Sequence, residues 1–203
     1  MKNETPKWWR WFPWVLGIVV VGVGKFAWWQ GQNDQIFALF GIVAWSVMWT
    51  HYVNGEMRRL NPNLPKNMLY HKVSSYVVLA SLFLHPVLLA MALNPSGTKT
   101  LVTFYDYVPA TSAWAIAFGQ IALGSFLTFE ILERLKSKAW VKKIWWIVNL
   151  SQSIAMTMIF FHALHLGSLL QTGWYRGFWI LLGIILLPCM LHTHYSDLKG
   201  FKK

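Results

Sequence analysis

The sequence predicts an all-α integral membrane protein, a bundle of six transmembrane helices with both termini in the cytoplasm. Three observations predict this fold class. Hydrophobic residues make up 56% of the 203 residues and charged residues only 12%, whereas soluble domains have about a quarter of their residues charged. The apolar residues gather in six long segments. The basic residues cluster on alternate sides of these segments, as membrane topology requires.

Each apolar segment is long enough, or nearly so, to cross the ~30 Å hydrocarbon core of a bilayer. Hydrocarbon offers no partner to backbone polar groups, so each span must be a helix. The first span has no small-residue cleavage site after it and is retained. We see no internal repeat and expect one domain over 1–203. The spans run approximately over 12–29, 35–53, 73–93, 112–131, 144–168 and 174–192.

The connecting segments carry helix breakers or charges. In chain order these are Gly31, Asn33 and Asp34; Asn61, Pro62 and Pro65; Asn94, Pro95 and Gly97; the basic run from Arg134 to Lys143; and Gly173 with Gly177. After the sixth span only HTHYSDLKGFKK follows. We therefore expect no soluble flavin or nicotinamide domain.

The orientation follows from the lysines and arginines. Fifteen of the 18 lie at the termini and in the connections on one side, and only Lys25, Lys99 and Arg176 lie on the other. The positive-inside rule therefore places both termini in the cytoplasm of a plasma or inner membrane. The three outer cations are candidates for haem propionates or an anionic substrate, although snorkelling to the interface is the simpler interpretation.

The net charge of +11 does not indicate a nucleic-acid partner, because the basic residues lie in short clusters between apolar runs. Tryptophans fit an aromatic belt, with Trp8, Trp9 and Trp11 expected at the inner interface. Cys189 is the only cysteine, and no CxxC or CxxCH motif occurs. Zinc ribbons and covalently attached c-type haem are therefore excluded.

Seven histidines are the main functional candidates, since ionisable residues inside a span are costly. Those at the inner ends of spans two and six, His51, His192 and His194, are expected to make interfacial hydrogen bonds. His71 and His85 lie 14 residues apart in span three. That spacing puts both on one stripe, ~21 Å apart along the helix axis.

Spans three and five run in the same direction and present imidazoles at comparable outer-half depth, from His85 and from His162 or His165. A planar macrocycle between the two helices would take one imidazole on each face of its iron, as in b-type haem proteins. The alternative is that histidines of separate spans bond each other or Ser and Thr side chains. Zinc and di-iron carboxylate sites are not favoured, because the spans lack neighbouring carboxylates and thiolates.

Two segments resemble a known superfamily. LYHKVSSYVVLASLFLH (69–85) looks like the third span of the ferric reductase-like transmembrane domain, found in NADPH oxidases, ferric reductases, STEAP metalloreductases and the haem-binding subunit of the bacterial methionine sulfoxide reductase system. In KKIWWIVNLSQSIAMTMIFFHALHLG (142–167), Trp145 and His162 match the fifth span. The resemblance covers the six-span core and hence nearly the whole chain.

The resemblance implies that His85 and His162 are axial ligands of an outer b-type haem, with His165 as the fallback ligand. His71 matches the inner-haem ligand of span three, but Asn149 stands where its partner histidine should be. We favour loss of the inner haem and one haem per chain. Two alternatives stay open: His51 or His192 replaces the ligand, or His71 binds a flavin, a quinone or a haem propionate.

The resemblance further implies a transmembrane electron carrier that is a component of an oxidoreductase system. Electrons would come from a separate flavin reductase holding FAD or FMN, or from a quinol. They would leave to ferric iron, as a chelate, or to a partner redox enzyme. Leu89 stands where animal oxidases carry a further histidine, so oxygen reduction is disfavoured. The alternative from another class is a non-redox membrane protein: a haem or metal sensor, a transporter or a structural partner.

Overall fold

The computed structural model describes residues 7–31, 35–94, 104–171 and 173–200, without the side chains of residues 107 and 197–200. All regular structure in these residues is helical. Each of six long helices contains a stretch long and apolar enough to cross a membrane, so the predicted six-helix membrane protein is confirmed. The helices are α1 Phe12–Gln30, α2 Ile36–Leu60, α3 Met68–Leu93, α4 Ala113–Arg134, α5 Ala139–Leu166 and α6 Trp174–Gly200.

Several helices extend past the predicted spans at their basic ends. Helix α2 continues seven residues further, to Leu60, and α6 eight residues further, to Gly200. Helices α3 and α5 each begin five residues earlier, at Met68 and Ala139. Lys, Arg and Glu are good helix formers, so a helix need not stop where its apolar stretch stops. Hydropathy therefore predicts the membrane-embedded part rather than the whole helix.

The chain forms two compact units, Met1–Ala92 with Ile184–Cys189 and Leu93–Gly183 with Met190–Lys203. In the first unit α1 packs against α2, and in the second α4 packs against α5. The connection between α4 and α5 is only residues 135–138, which makes them antiparallel neighbours. Large apolar side chains such as Ile18, Phe83 and Ile184 are exposed on the helices, as expected where lipid covers them.

A short 3-10 turn over Lys7–Arg10 anchors the chain before α1. Trp9 is only 1% exposed, and its indole Nε1 donates a hydrogen bond to the carbonyl oxygen of Pro65 at 2.8 Å. Nearby, the Asn67 amide donates to the carbonyl oxygen of Arg10 at 2.8 Å. Trp9 is thus packed inside the protein, whereas Trp8 and Trp11 are exposed, and the position of all three at the inner interface stays a prediction.

In the second unit, polar side chains hold the turn between α5 and α6. The Arg176 guanidinium donates to the carbonyl oxygen of Leu170 at 2.8 Å, and the Gln171 amide donates to that of His165 at 2.7 Å. Gly173 has a φ of 87°, a left-handed conformation that favours glycine. Arg176 therefore stabilises this turn by its hydrogen bond to Leu170. Lys99, another of the three outer cations, lies outside the described residues.

Candidate functional site

His85 is fixed by a backbone contact between α3 and α2. Its Nδ1 atom lies 2.7 Å from the carbonyl oxygen of Phe37. The ring also lies directly over Gly41, where a Cβ atom would be 3.1 Å from Nδ1 and 3.2 Å from Cε1. The next residue, Pro86, lies inside helix α3. It has no backbone N–H to give to Leu82. Because Gly41 on α2 has no side chain, the His85 imidazole on α3 can reach the carbonyl oxygen of Phe37.

His162 has the same surroundings in the second unit. Its Nδ1 atom lies 2.7 Å from the carbonyl oxygen of Ala115 on α4. A Cβ atom at Gly119 would lie 2.9 Å from both Nδ1 and Cε1 of the ring, closer than real Cβ atoms approach. In each unit the carbonyl acceptor and the glycine are four residues apart, on one face of one helix.

These contacts determine which ring nitrogen carries the proton. A carbonyl oxygen only accepts hydrogen bonds, so Nδ1 of His85 and of His162 must be the donor. In the neutral imidazole the lone pair is then on Nε2. Histidines that bind metals are typically held in this way, with the second nitrogen donating to a carbonyl. Both side chains are therefore in the tautomer that an axial iron ligand needs.

The donor set was tested against a haem and against a bare metal ion. Among the described residues, no group of three or more His, Cys, Asp and Glu side chains could hold a metal ion. A haem asks less of the protein, because the porphyrin supplies four ligands and the chain only the axial ones. His85 and His162 each have Nδ1 bonded to a helix carbonyl, which is the second-nitrogen contact that such a ligand makes.

His165 has different surroundings from His162, although it lies one turn further along α5. Its side chain is exposed, its Nε2 atom is 2.9 Å from the Ser112 hydroxyl, and its ring lies 4.7 Å from that of Trp114. The Ser112 hydroxyl therefore occupies Nε2, which is the nitrogen that would bind a haem iron. The structure therefore gives His162, not His165, the surroundings that match His85.

The inner candidates on the first unit form a polar cluster. The His51 and His71 rings have their centroids 5.0 Å apart, and His51 Nε2 is bonded to the Ser74 hydroxyl. The Ser74 hydroxyl donates in turn to the carbonyl oxygen of Tyr70 at 2.6 Å. His51 thus makes the hydrogen bond expected of it, and it lies beside His71.

The remaining candidates lie in the second unit. His194 Nε2 is 2.8 Å from the Ser153 hydroxyl, which links α6 to α5. It makes the hydrogen bond to a side chain that was expected for a histidine at the end of span six. His192 and Asn149 lie on the same two helices, α6 and α5. Replacement of the missing inner ligand by His192 stays a prediction.

Sequence reasoning missed the glycines and carbonyls that orient His85 and His162. A signal for them is present, because the pattern Phe-Gly followed three residues later by Ala occurs on both α2 and α4. The two glycines are 78 residues apart and the two histidines 77. The alanines, Ala44 and Ala122, are both buried. This correspondence is short and gapped, so it does not stand out as an internal repeat in the sequence.

Comparisons of the chain with protein-family models, with curated proteins and with solved structures find no match.

Proposed function

We propose that the protein is a b-type haem electron carrier of the membrane. The observation that supports this proposal best is the repeated arrangement of His85 and His162. Each imidazole donates from Nδ1 to a helix carbonyl at 2.7 Å and packs on a glycine. A structural histidine needs no such matched surroundings, whereas an axial ligand does, because its Nε2 lone pair must be kept available.

In this proposal His85 and His162 each supply one axial imidazole. The carbonyl oxygens of Phe37 and Ala115 hold the rings in the correct tautomer and make Nε2 more basic. The glycines allow the rings to come close enough for those bonds. A bound haem supplies one-electron redox chemistry, which the chain tunes through ligand basicity and the low dielectric of the membrane.

The orientation and partners of the carrier complete the proposal. The excess of Lys and Arg on one side supports cytoplasmic termini. The donor is then a cytoplasmic flavin reductase or a quinol, and the acceptor is a ferric chelate or a redox enzyme at the outer face. These assignments rest on the resemblance of residues 69–85 and 142–167 to ferric reductase-like proteins.

The spectrum of the purified protein tests the proposal. The full chain, extracted in detergent, is expected to show a Soret band and α and β bands that sharpen with dithionite. Pyridine haemochrome analysis should identify non-covalent protohaem. A colourless protein whose spectrum and melting temperature do not respond to added haemin would refute the electron-transfer function. It would favour the non-redox alternative.

A further inference from the structure

Asn54 places a buried side-chain amide on α2. It is 9% exposed, and neither Oδ1 nor Nδ2 forms a hydrogen bond with any part of the chain that the structure describes. A buried polar group without a partner is costly. An amide with both its donor and its acceptor unused therefore indicates a ligand that can both accept and donate.

The position of Asn54 places it beside the inner histidine cluster. Asn54 lies three residues after His51 and four after Thr50, on one face of α2. Helices α2 and α3 are antiparallel, and His51 on α2 meets Ser74 on α3. Moving three residues along each helix from this contact brings Asn54 level with His71. Asn54 therefore lies at the level of His71 and one turn along α2 from His51.

The other groups around this position are neutral hydrogen-bonding groups. The Tyr70 hydroxyl is bonded to that of Thr50, and the Tyr70 ring packs edge-on against Trp14 with centroids 5.1 Å apart. The charges nearest to it along the same helix have partners in the chain, since Glu56 pairs with Arg59 at 3.7 Å and Arg58 Nε donates to the carbonyl oxygen of Leu64 at 3.4 Å. This environment is poorly suited to a phosphate or carboxylate, which is recognised by cationic groups.

The ligand class follows from this chemistry and from the membrane. A ligand here needs a planar face for imidazole and indole rings, oxygen atoms that accept and donate, no charge, and access from an apolar phase. We propose that Asn54, with His51 and His71, binds the headgroup of a membrane quinone or its hydroquinone. This assignment rests on the proposed function, because it names a quinol as the electron donor in that function. Binding itself is measurable without haem.

The experiment measures binding of decylubiquinone to the full-length protein in detergent, by quenching of tryptophan fluorescence and by the rise in melting temperature that a ligand gives. The wild-type chain should bind saturably both with and without added haemin, because the quinone site does not include His85 or His162. Asn54→Leu should weaken binding by about tenfold or more, as expected when hydrogen bonds to the amide are lost. It should also reduce the rise in melting temperature at a given concentration of decylubiquinone.

Ser46→Ala is the matched control. Ser46 is also buried on α2, and its hydroxyl has no partner within the described part of the chain, but it lies two turns away from Asn54. The Ser46→Ala variant should bind decylubiquinone like the wild type. Equal binding by Asn54→Leu, or no saturable binding by the wild type, would overturn the proposal. So would binding of riboflavin 5′-phosphate in place of the quinone. A quinone site in a haem-free chain would sink the proposed function while leaving this inference standing.

Discussion

The His162 imidazole packs against Gly119 and occupies the space that a side chain at this residue would need. A Cβ atom there would lie 2.9 Å from two atoms of the imidazole ring, while Nδ1 of that ring bonds to the carbonyl oxygen of Ala115 at 2.7 Å. The ring cannot withdraw from Gly119 without lengthening this bond. Gly119 is therefore part of what orients His162.

Gly119→Ala should disturb His162. Overpacking of this kind costs about 1–3 kcal/mol, and here the displaced group is the ring itself. We expect a shifted α band or a reduced haem content, together with a lower melting temperature. Absorption spectroscopy and thermal unfolding of the purified variant measure both effects.

Gly124→Ala is the control for this substitution. Gly124 lies on the same helix, and a Cβ atom there would have nothing within 4 Å. Alanine favours a helix by about 1 kcal/mol over glycine, so this variant should keep the wild-type spectrum and be at least as stable. Equal spectral changes in the two variants would show that the contact with His162 is not the cause.

Trp9→Phe should destabilise the first unit. The substitution removes the hydrogen bond from the indole to Pro65, worth about 1 kcal/mol, and leaves a space where the larger ring is fully buried. Trp11→Phe is the matched control, because Trp11 is 69% exposed. Melting temperatures in the same detergent compare the two. If Trp11→Phe lowers the melting temperature as much as Trp9→Phe, the anchoring role of Trp9 is wrong.

The orientation is testable with single cysteines in a Cys189→Ala background. Exposed positions at the helix ends are suitable: Gly31 after α1, Asn63 between α2 and α3, and Ser137 between α4 and α5. Given the excess of basic residues on one side, a membrane-impermeant maleimide should label Gly31→Cys in intact cells. Asn63→Cys and Ser137→Cys should react only after the membrane is opened. The reverse pattern would mean that both termini are outside.

Haem stoichiometry tests the inner site. By the resemblance to ferric reductase-like proteins, Asn149 stands at the position of the inner ligand, and His71 lies against His51, so we expect about one haem per chain. His71→Ala should retain most of this haem, because the proposed ligands His85 and His162 make their hydrogen bonds to Phe37 and Ala115 and not to His71. Two haems per chain, with one lost in His71→Ala, would show that another residue acts as the inner ligand.

The six spans were predictable because bilayer thickness fixes the length of an apolar helix. Hydropathy carries no information on where the helices end, as at α2 and α6, whose last turns are polar but helical. The burial of Trp9 was not predictable either, because it depends on a contact with Pro65, 56 residues along the chain.

The candidate site was predictable only in part. His85 and His162 could be singled out because a histidine in an apolar span is costly. Their orienting partners could not, since a backbone carbonyl is present at every residue and carries no sequence signal. The Phe-Gly pairs at Gly41 and Gly119 are a signal, but one that acquires meaning only when the helices are paired. Whether the Asn54 amide finds a hydrogen-bond partner among the described residues depends likewise on which helix faces it, and the sequence does not show this.

The most direct test of the central claim is the absorption spectrum of three variants, His85→Ala, His162→Ala and His165→Ala, each oxidised and then reduced with dithionite. The first two should lose the haem or become high-spin, because each removes an axial imidazole held by a carbonyl. Losing the haem should also lower their stability by linkage. His165→Ala should keep the wild-type spectrum, because its imidazole is engaged with Ser112. Wild-type spectra from both His85→Ala and His162→Ala would contradict the account.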